Sequence, residues 1–173
     1  MANYARLARR AVYDRLAASF NSSLAAVAST YAIDDVPEID WTPGGGGVFE
    51  GYLIPGDATS ISEIATRFGK KKLGLVLYVS ASQDDRDVKF KAFSGAVIVN
   101  ADFYWMALDG FATSTEDVAD AIEDAVNACM RPAVATGAAV GPTAMATRRD
   151  PVAIEDSGYM QRIPFEFRME VTV

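Results

Sequence analysis

The chain has 173 residues and a mass of 18.5 kDa, enough for one domain with a full hydrophobic core and no need of disulfides. Half of the residues are hydrophobic and 23% are charged, which is ordinary globular usage, and the net charge of −7 argues against a general nucleic-acid coat, which would be basic. With no histidine and a single cysteine, Cys129, the chain excludes a Ser-His-Asp triad, a Cys-His pair, a His-bearing zinc site and an internal disulfide.

No run of about 20 apolar residues is present to span a membrane, and the N-terminus lacks a secretory apolar core. A soluble cytoplasmic protein is the expectation.

Residues 2–28 read as a helix. Tyr13, Leu16, Phe20, Leu24 and Val27 recur at spacings of three and four and share one face, while Arg6, Arg9, Arg10 and Arg15 supply early polar surface. Asn21, Ser22 and Ser23 are poor interior residues and are expected to break it. Next, Val36–Trp41 and Val48–Ile54 flank Pro43-Gly44-Gly45-Gly46-Gly47, and the pattern suggests an extended, mobile hairpin or loop over 37–56. Ser60-Ile61-Ser62-Glu63 is a capping box that opens a short helix, which Gly69 can end.

Leu73, Leu75, Leu77 and Val79 alternate with smaller or mixed residues and read as a largely covered strand. Gln83–Arg86 reads as a polar turn and Val88–Lys91 as the returning strand. From Ala96 to Leu108, Val97, Val99, Ala101, Phe103 and Trp105 lie on one face, and Asn100, Asp102 and Tyr104 on the other. Ser114 caps a helix with Val118, Ile122, Ala125 and Cys129 on its apolar side and acids in its first turn, where the dipole favours them. Arg131-Pro132 ends it. Residues 133–149 are small and glycine-bearing and read as a flexible loop or arm. The chain closes on an alternating strand through Ile163, Phe165, Phe167, Met169, Val171 and Val173, with Pro164 suggesting an edge or a strand start. The whole predicts a single α+β domain over 1–173, a mostly antiparallel sheet with helices packed on one face and extended loops for assembly.

The candidate chemical motifs are weak. The glycines at 44–47 lead into an extended run, whereas a phosphate loop leads into a helix with Lys-Ser or Lys-Thr. Arg67, Lys70, Lys71 and Lys72 read as a solvated helix end, with a nucleic-acid or acidic-partner surface as the alternative. Asp84, Asp85 and Asp87 lack the ladder of a calcium loop. Asp156-Ser157-Gly158 matches three residues of an aspartic protease half-site, but Glu155 stands where an apolar strand residue is needed, so it reads as a turn. Cys129 reads as a core thiol. No catalytic, metal or cofactor site is expected, and the chain is read as a non-enzyme.

Three stretches carry a likeness to a known family. They are the N-terminal helix Tyr4–Tyr13, the passage from Phe103-Tyr104-Trp105 through Ser114-Thr115-Glu116-Asp117 to Met130, and the acidic turn Glu155-Asp156-Ser157-Gly158-Tyr159 leading into Arg162–Val171. In this order of elements the chain resembles the tail terminator proteins of long-tailed bacteriophages, over about two thirds of its length as a pattern of elements.

The resemblance implies a small α+β subunit that forms a ring, usually hexameric, on the end of the tail tube. Its partners would be itself, the tube protein and the head connector, with DNA passing through the lumen. It would reside in the virion, after assembly in the host cytoplasm. Six copies at −7 each would carry −42, which disfavours sticking to DNA. In such a ring, Arg6, Arg9 and Arg10 are expected to meet Asp120, Glu123 and Asp124 of a neighbour, since a closing contact needs two complementary surfaces. The loops bearing Gly44, Gly45, Gly46, Gly47, Gly137 and Gly141 are expected to touch tube or connector. The alternatives are a head–tail connector or tube protein of the same particle, and a small ligand-binding domain or enzyme.

Overall fold

The structure, a computed structural model, describes residues 4–50, 68, 73–87, 92–107, 115–130, 140–145, 152–154 and 158–172. Helix α1 (Tyr4–Ala28) leads into strand β1 (Val48–Glu50), then β2 (Leu73–Asp87) and β3 (Ala92–Ala107). Helix α2 (Thr115–Met130), β4 (Val140–Met145), β5 (Val152–Ile154) and β6 (Gly158–Thr172) follow. The six strands form one sheet in the order β1-β2-β3-β6-β4, with β5 also paired to β6. β1 runs parallel to β2, and every other pairing is antiparallel. This is an α+β fold with a mostly antiparallel sheet.

Alternation decides which side of the sheet is core. Leu75 pairs with Phe103, Leu77 with Ala101, and Ala101 in turn with Phe165, so these side chains share one face. They join a single core with Ala8, Val12, Leu16, Phe20, Leu24 and Ala28 of α1 and Val118, Ile122, Ala125 and Val126 of α2. Phe20 is fully buried, its ring 5.0 Å from Phe103 and 6.4 Å from Trp41. The α1 stripe recurs every fourth residue and includes Ala8 and Val12, beyond the five positions that the spacing picks out. The two helices run antiparallel. Ser19 Oγ donates to Cys129 Sγ at 3.3 Å, and Tyr31, just past α1, donates to Asp124 Oδ2 at 2.8 Å. Cys129 is therefore half-buried in the helix–helix seam, packed against the core.

Several expectations are corrected. α1 does not break at Asn21–Ser23, because Asn21 spends its amide on a neighbouring segment. Its Nδ2 donates to Ile39 O at 2.9 Å, and Ile39 N donates to its Oδ1 at 3.1 Å. That fixes residues 36–41 against the helix as irregular chain, not as a strand. Of the hairpin or loop expected over 37–56, residues 51–56 lie outside the described residues; among those described the two runs do not pair with each other, and β1 pairs in parallel with β2, Val48 opposite Leu75. Gln83–Arg86 is no turn either. It lies within β2, with Asp84 opposite Gly95 and Asp87 opposite Ala92. Part of the expected loop over 133–149 is the strand β4, with Val140 opposite Met169. Pro164 sits inside a 15-residue strand, but at the step where β5 stops pairing, at Met160, and β4 starts, at Phe165. A missing N–H is tolerated at such a step. Ser60–Glu63, Arg67, Gly69–Lys72, Val88–Lys91, Ser114, Arg131–Ala139 and Glu155–Ser157 lie outside the described residues; Phe68 is helical.

Candidate functional site

The basic residues of α1 gather at its N-terminal end. Arg9 Nε lies 3.3 Å from Glu50 Oε2, and Arg10 Nε lies 2.9 Å from Asp14 Oδ1 with its Nη1 3.9 Å from Glu50 Oε1. The Arg10 guanidinium also covers the Tyr13 ring at 4.6 Å. These pairs are exposed, so each contributes little to stability and can exchange partners. Sequence reasoning did not anticipate Glu50, because β1 reaches this helix end only through the sheet.

The acids of α2 gather elsewhere. Tyr31 has its pKa raised by its hydrogen bond to Asp124, by burial, and by the charges of Asp124, Asp120 and Asp117. These acids therefore lie around the C-terminal end of α1. The rise from Arg10 to Ala28 is about 27 Å. The structure thus keeps Arg6, Arg9 and Arg10 apart from Asp120 and Asp124 within one copy.

The glycine turn is compact. Gly45 N donates to Thr42 O at 2.8 Å, and Thr42 N donates to Asp40 Oδ1 at 3.0 Å. Gly44 and Gly46 take φ of 77° and 81°, in the left-handed region. A Cβ on Gly47 would stand 2.4 Å from Asp40 O. The turn folds around Asp40 and delivers Gly47 O to Leu75 N at 2.9 Å, which starts the β1–β2 pairing. Gly141 lies in β4, opposite Arg168, so it is a strand residue and not a loop tip. Gly137 lies outside the described residues.

The sheet face away from the helices carries a polar cluster at its centre. Asn100 and Asp102 on β3 are 6% and 4% exposed. Asp102 Oδ2 accepts from Arg162 Nη2 at 2.8 Å, tying β3 to β6, and the carboxylate also accepts from Tyr78 on β2. Burial raises the Asp102 pKa above 3.8, offset in part by the charge and hydrogen bond of Arg162 and the bond from Tyr78. Burial and the Asp102 charge push Tyr104 up to about 12. Asn100 Nδ2 and Asp102 Oδ1 are buried without hydrogen-bond partners. Toward β1 the same face becomes aromatic: Phe68 packs 5.3 Å from Phe49 and 5.7 Å from Tyr104, directly over Gly74.

Among the described residues, no group of cysteine, aspartate and glutamate is placed to hold a metal ion, and no helix is long and apolar enough to cross a membrane. Asp156 lies outside them. No protein-family model matches the chain, and comparison with curated proteins finds no relative.

Proposed function

We propose that the chain is a structural virion subunit, a tail terminator that closes into a ring on the end of a phage tail tube and offers a docking surface to the head connector. The observation that supports this reading best is the length of the β2–β3–β6 ladder. Strands of 15, 16 and 15 residues span about 50 Å, against about 37 Å for the 25-residue α1 and about 24 Å for the 16-residue α2. The ladder outruns both helices, and a subunit that assembles has a use for such an arm against its neighbours. The separation of the basic end of α1 from the acids of α2 also supports a head-to-tail contact, in which Arg6, Arg9 and Arg10 of one copy meet Asp120, Glu123 and Asp124 of the next. The turn at Gly44–Gly47 and the β4 region at Gly141 would face tube or connector, and DNA would pass through an acidic lumen. The action is geometric: one ring face matches the last tube ring, and the other does not template a further one.

Light scattering on the purified protein, with negative-stain images of the same fraction, tests this. Closed rings of fixed copy number are expected. Long tubes would replace the reading with that of a tube protein, and a monomer at every concentration overturns a self-assembling ring.

A further inference from the structure

We infer that the helix-free face of the sheet holds a binding site for a carboxamide group, which donates to Asp102 Oδ1 and accepts from Asn100 Nδ2. The site stands apart from the ring reading above. Asn100 and Asp102 are 6% and 4% exposed, and neither of these two atoms has a hydrogen-bond partner among the described residues. A buried polar atom left without a partner is costly. Here one donor and one acceptor stand two residues apart on β3, and so on the same side of the sheet. Their joint complement is a group that carries an N–H and a C=O side by side.

The surroundings narrow the ligand to a neutral one. Arg162 Nη2 already meets the charge of Asp102 at Oδ2, 2.8 Å away, so the site does not call for a cation, and the carboxylate repels an anion. A single water also donates and accepts. The two positions, however, lie about 7 Å apart along β3, and two bonds of about 2.9 Å through one oxygen reach at most about 6 Å. The N–H and C=O of a carboxamide are separate atoms and cover the step. Val76, opposite Asp102 and 4% exposed, offers an apolar floor on the β2 side. On the β6 side, Glu166 opposite Asn100 and Arg162 opposite Tyr104 are exposed, so the ligand enters there.

A free amide and a glutamine side chain share this chemistry. Benzamide stands for the first and the blocked tripeptide Gly-Gln-Gly for the second, with benzoate and blocked Gly-Glu-Gly as their acid counterparts. Each is titrated into the 18.5 kDa protein and followed by NMR on the side-chain amide of Asn100, whose signal is assigned by its loss in Asn100→Leu. A saturable shift with benzamide, at least tenfold weaker with benzoate, is expected. Asn100→Leu is expected to weaken benzamide at least tenfold with an unchanged circular dichroism spectrum. Asn100→Asp, which keeps the shape and removes the donor, does the same should the leucine variant fail to fold. Saturation by the glutamine peptide and not by benzamide upholds the site and makes its ligand a protein side chain. Benzoate binding as tightly as benzamide overturns the proposal in favour of an anion at Arg162. No saturable shift with either amide, or an Asn100 amide that shows contact with water alone, also overturns it, as does full benzamide affinity in a folded Asn100→Leu.

Discussion

Asn21 holds Ile39 by both of its backbone groups, donating to the carbonyl at 2.9 Å and accepting from the N–H at 3.1 Å. The pair closes the segment after α1 back onto the helix, and it brings Trp41 against Tyr13 and Phe20, 5.6 and 6.4 Å between ring centroids. Asn21→Ala removes two part-buried hydrogen bonds of about 1 kcal/mol each and regains about 0.6 kcal/mol of helix propensity. A net loss of about 1.5 kcal/mol is expected in urea unfolding, with an unchanged m-value. A neutral substitution would show that the segment is held by Trp41 packing alone.

The same residue shows what the sequence hides. In a helix-period pattern Asn21 looks like a breaker, because its low propensity is local, whereas the Ile39 backbone that rewards it is a tertiary partner. The glycine run misled for a similar reason. Two apolar-bearing runs around Pro43–Gly47 look like hairpin arms until Asn21 takes up one of them and Leu75 the other. β4 is built of small residues with no apolar alternation to announce it, and only its pairing with β6 defines it. By contrast, the two faces of β3 were legible, since Val97, Val99, Ala101, Phe103 and Trp105 keep one face apolar while Asn100 and Asp102 mark the other. Asp102 was legible as a residue on the helix-free face. Its partner was not, because the β3–β6 register that sets Arg162 diagonally beside it joins positions far apart in the chain.

The glycine turn orders its own substitutions. At Gly47 a Cβ meets the Asp40 carbonyl oxygen at 2.4 Å and its nitrogen at 2.8 Å, backbone atoms that cannot swing aside. At Gly44 nothing lies within 4 Å, but φ is +77°. Gly44→Ala is therefore expected to cost about 1 kcal/mol of left-handed strain. Gly47→Ala must cost more, because the turn has to open and release the Gly47 O to Leu75 N bond. Thermal unfolding of the two variants checks the order, and equal losses would mean that the turn does not wrap Asp40 as described.

Phe20 sits where α1, Trp41 and Phe103 meet, with no exposed surface. Phe20→Ala is expected to destabilise by about 3–5 kcal/mol, and Phe20→Leu by clearly less, since it keeps most of the volume. Chemical denaturation measures both. Leu7→Ala, on the exposed face of the same helix, is the control and should fall within about 0.5 kcal/mol in the monomer.

Asp102 is a carboxylate whose pKa is raised, and the sign of its effect on stability follows. Between the ordinary 3.8 and its higher folded value, the folded chain keeps a proton that the unfolded chain has released. The favourable contribution of this group is thus fully present below 3.8 and is lost as pH rises through the folded pKa. Asp102→Asn cannot titrate. The stability difference between wild type and variant should therefore shift against the wild type as pH rises above about 4, then level off. Arg162 works against the burial effect, so Arg162→Gln is expected to raise the Asp102 pKa further and move that shift to higher pH. Urea midpoints from pH 3.5 to 8, over the range set by the ordinary carboxylate value, read the difference directly. A difference constant across that range would mean that the Arg162 bond balances burial at this site, and one moving in favour of the wild type with rising pH that it outweighs burial.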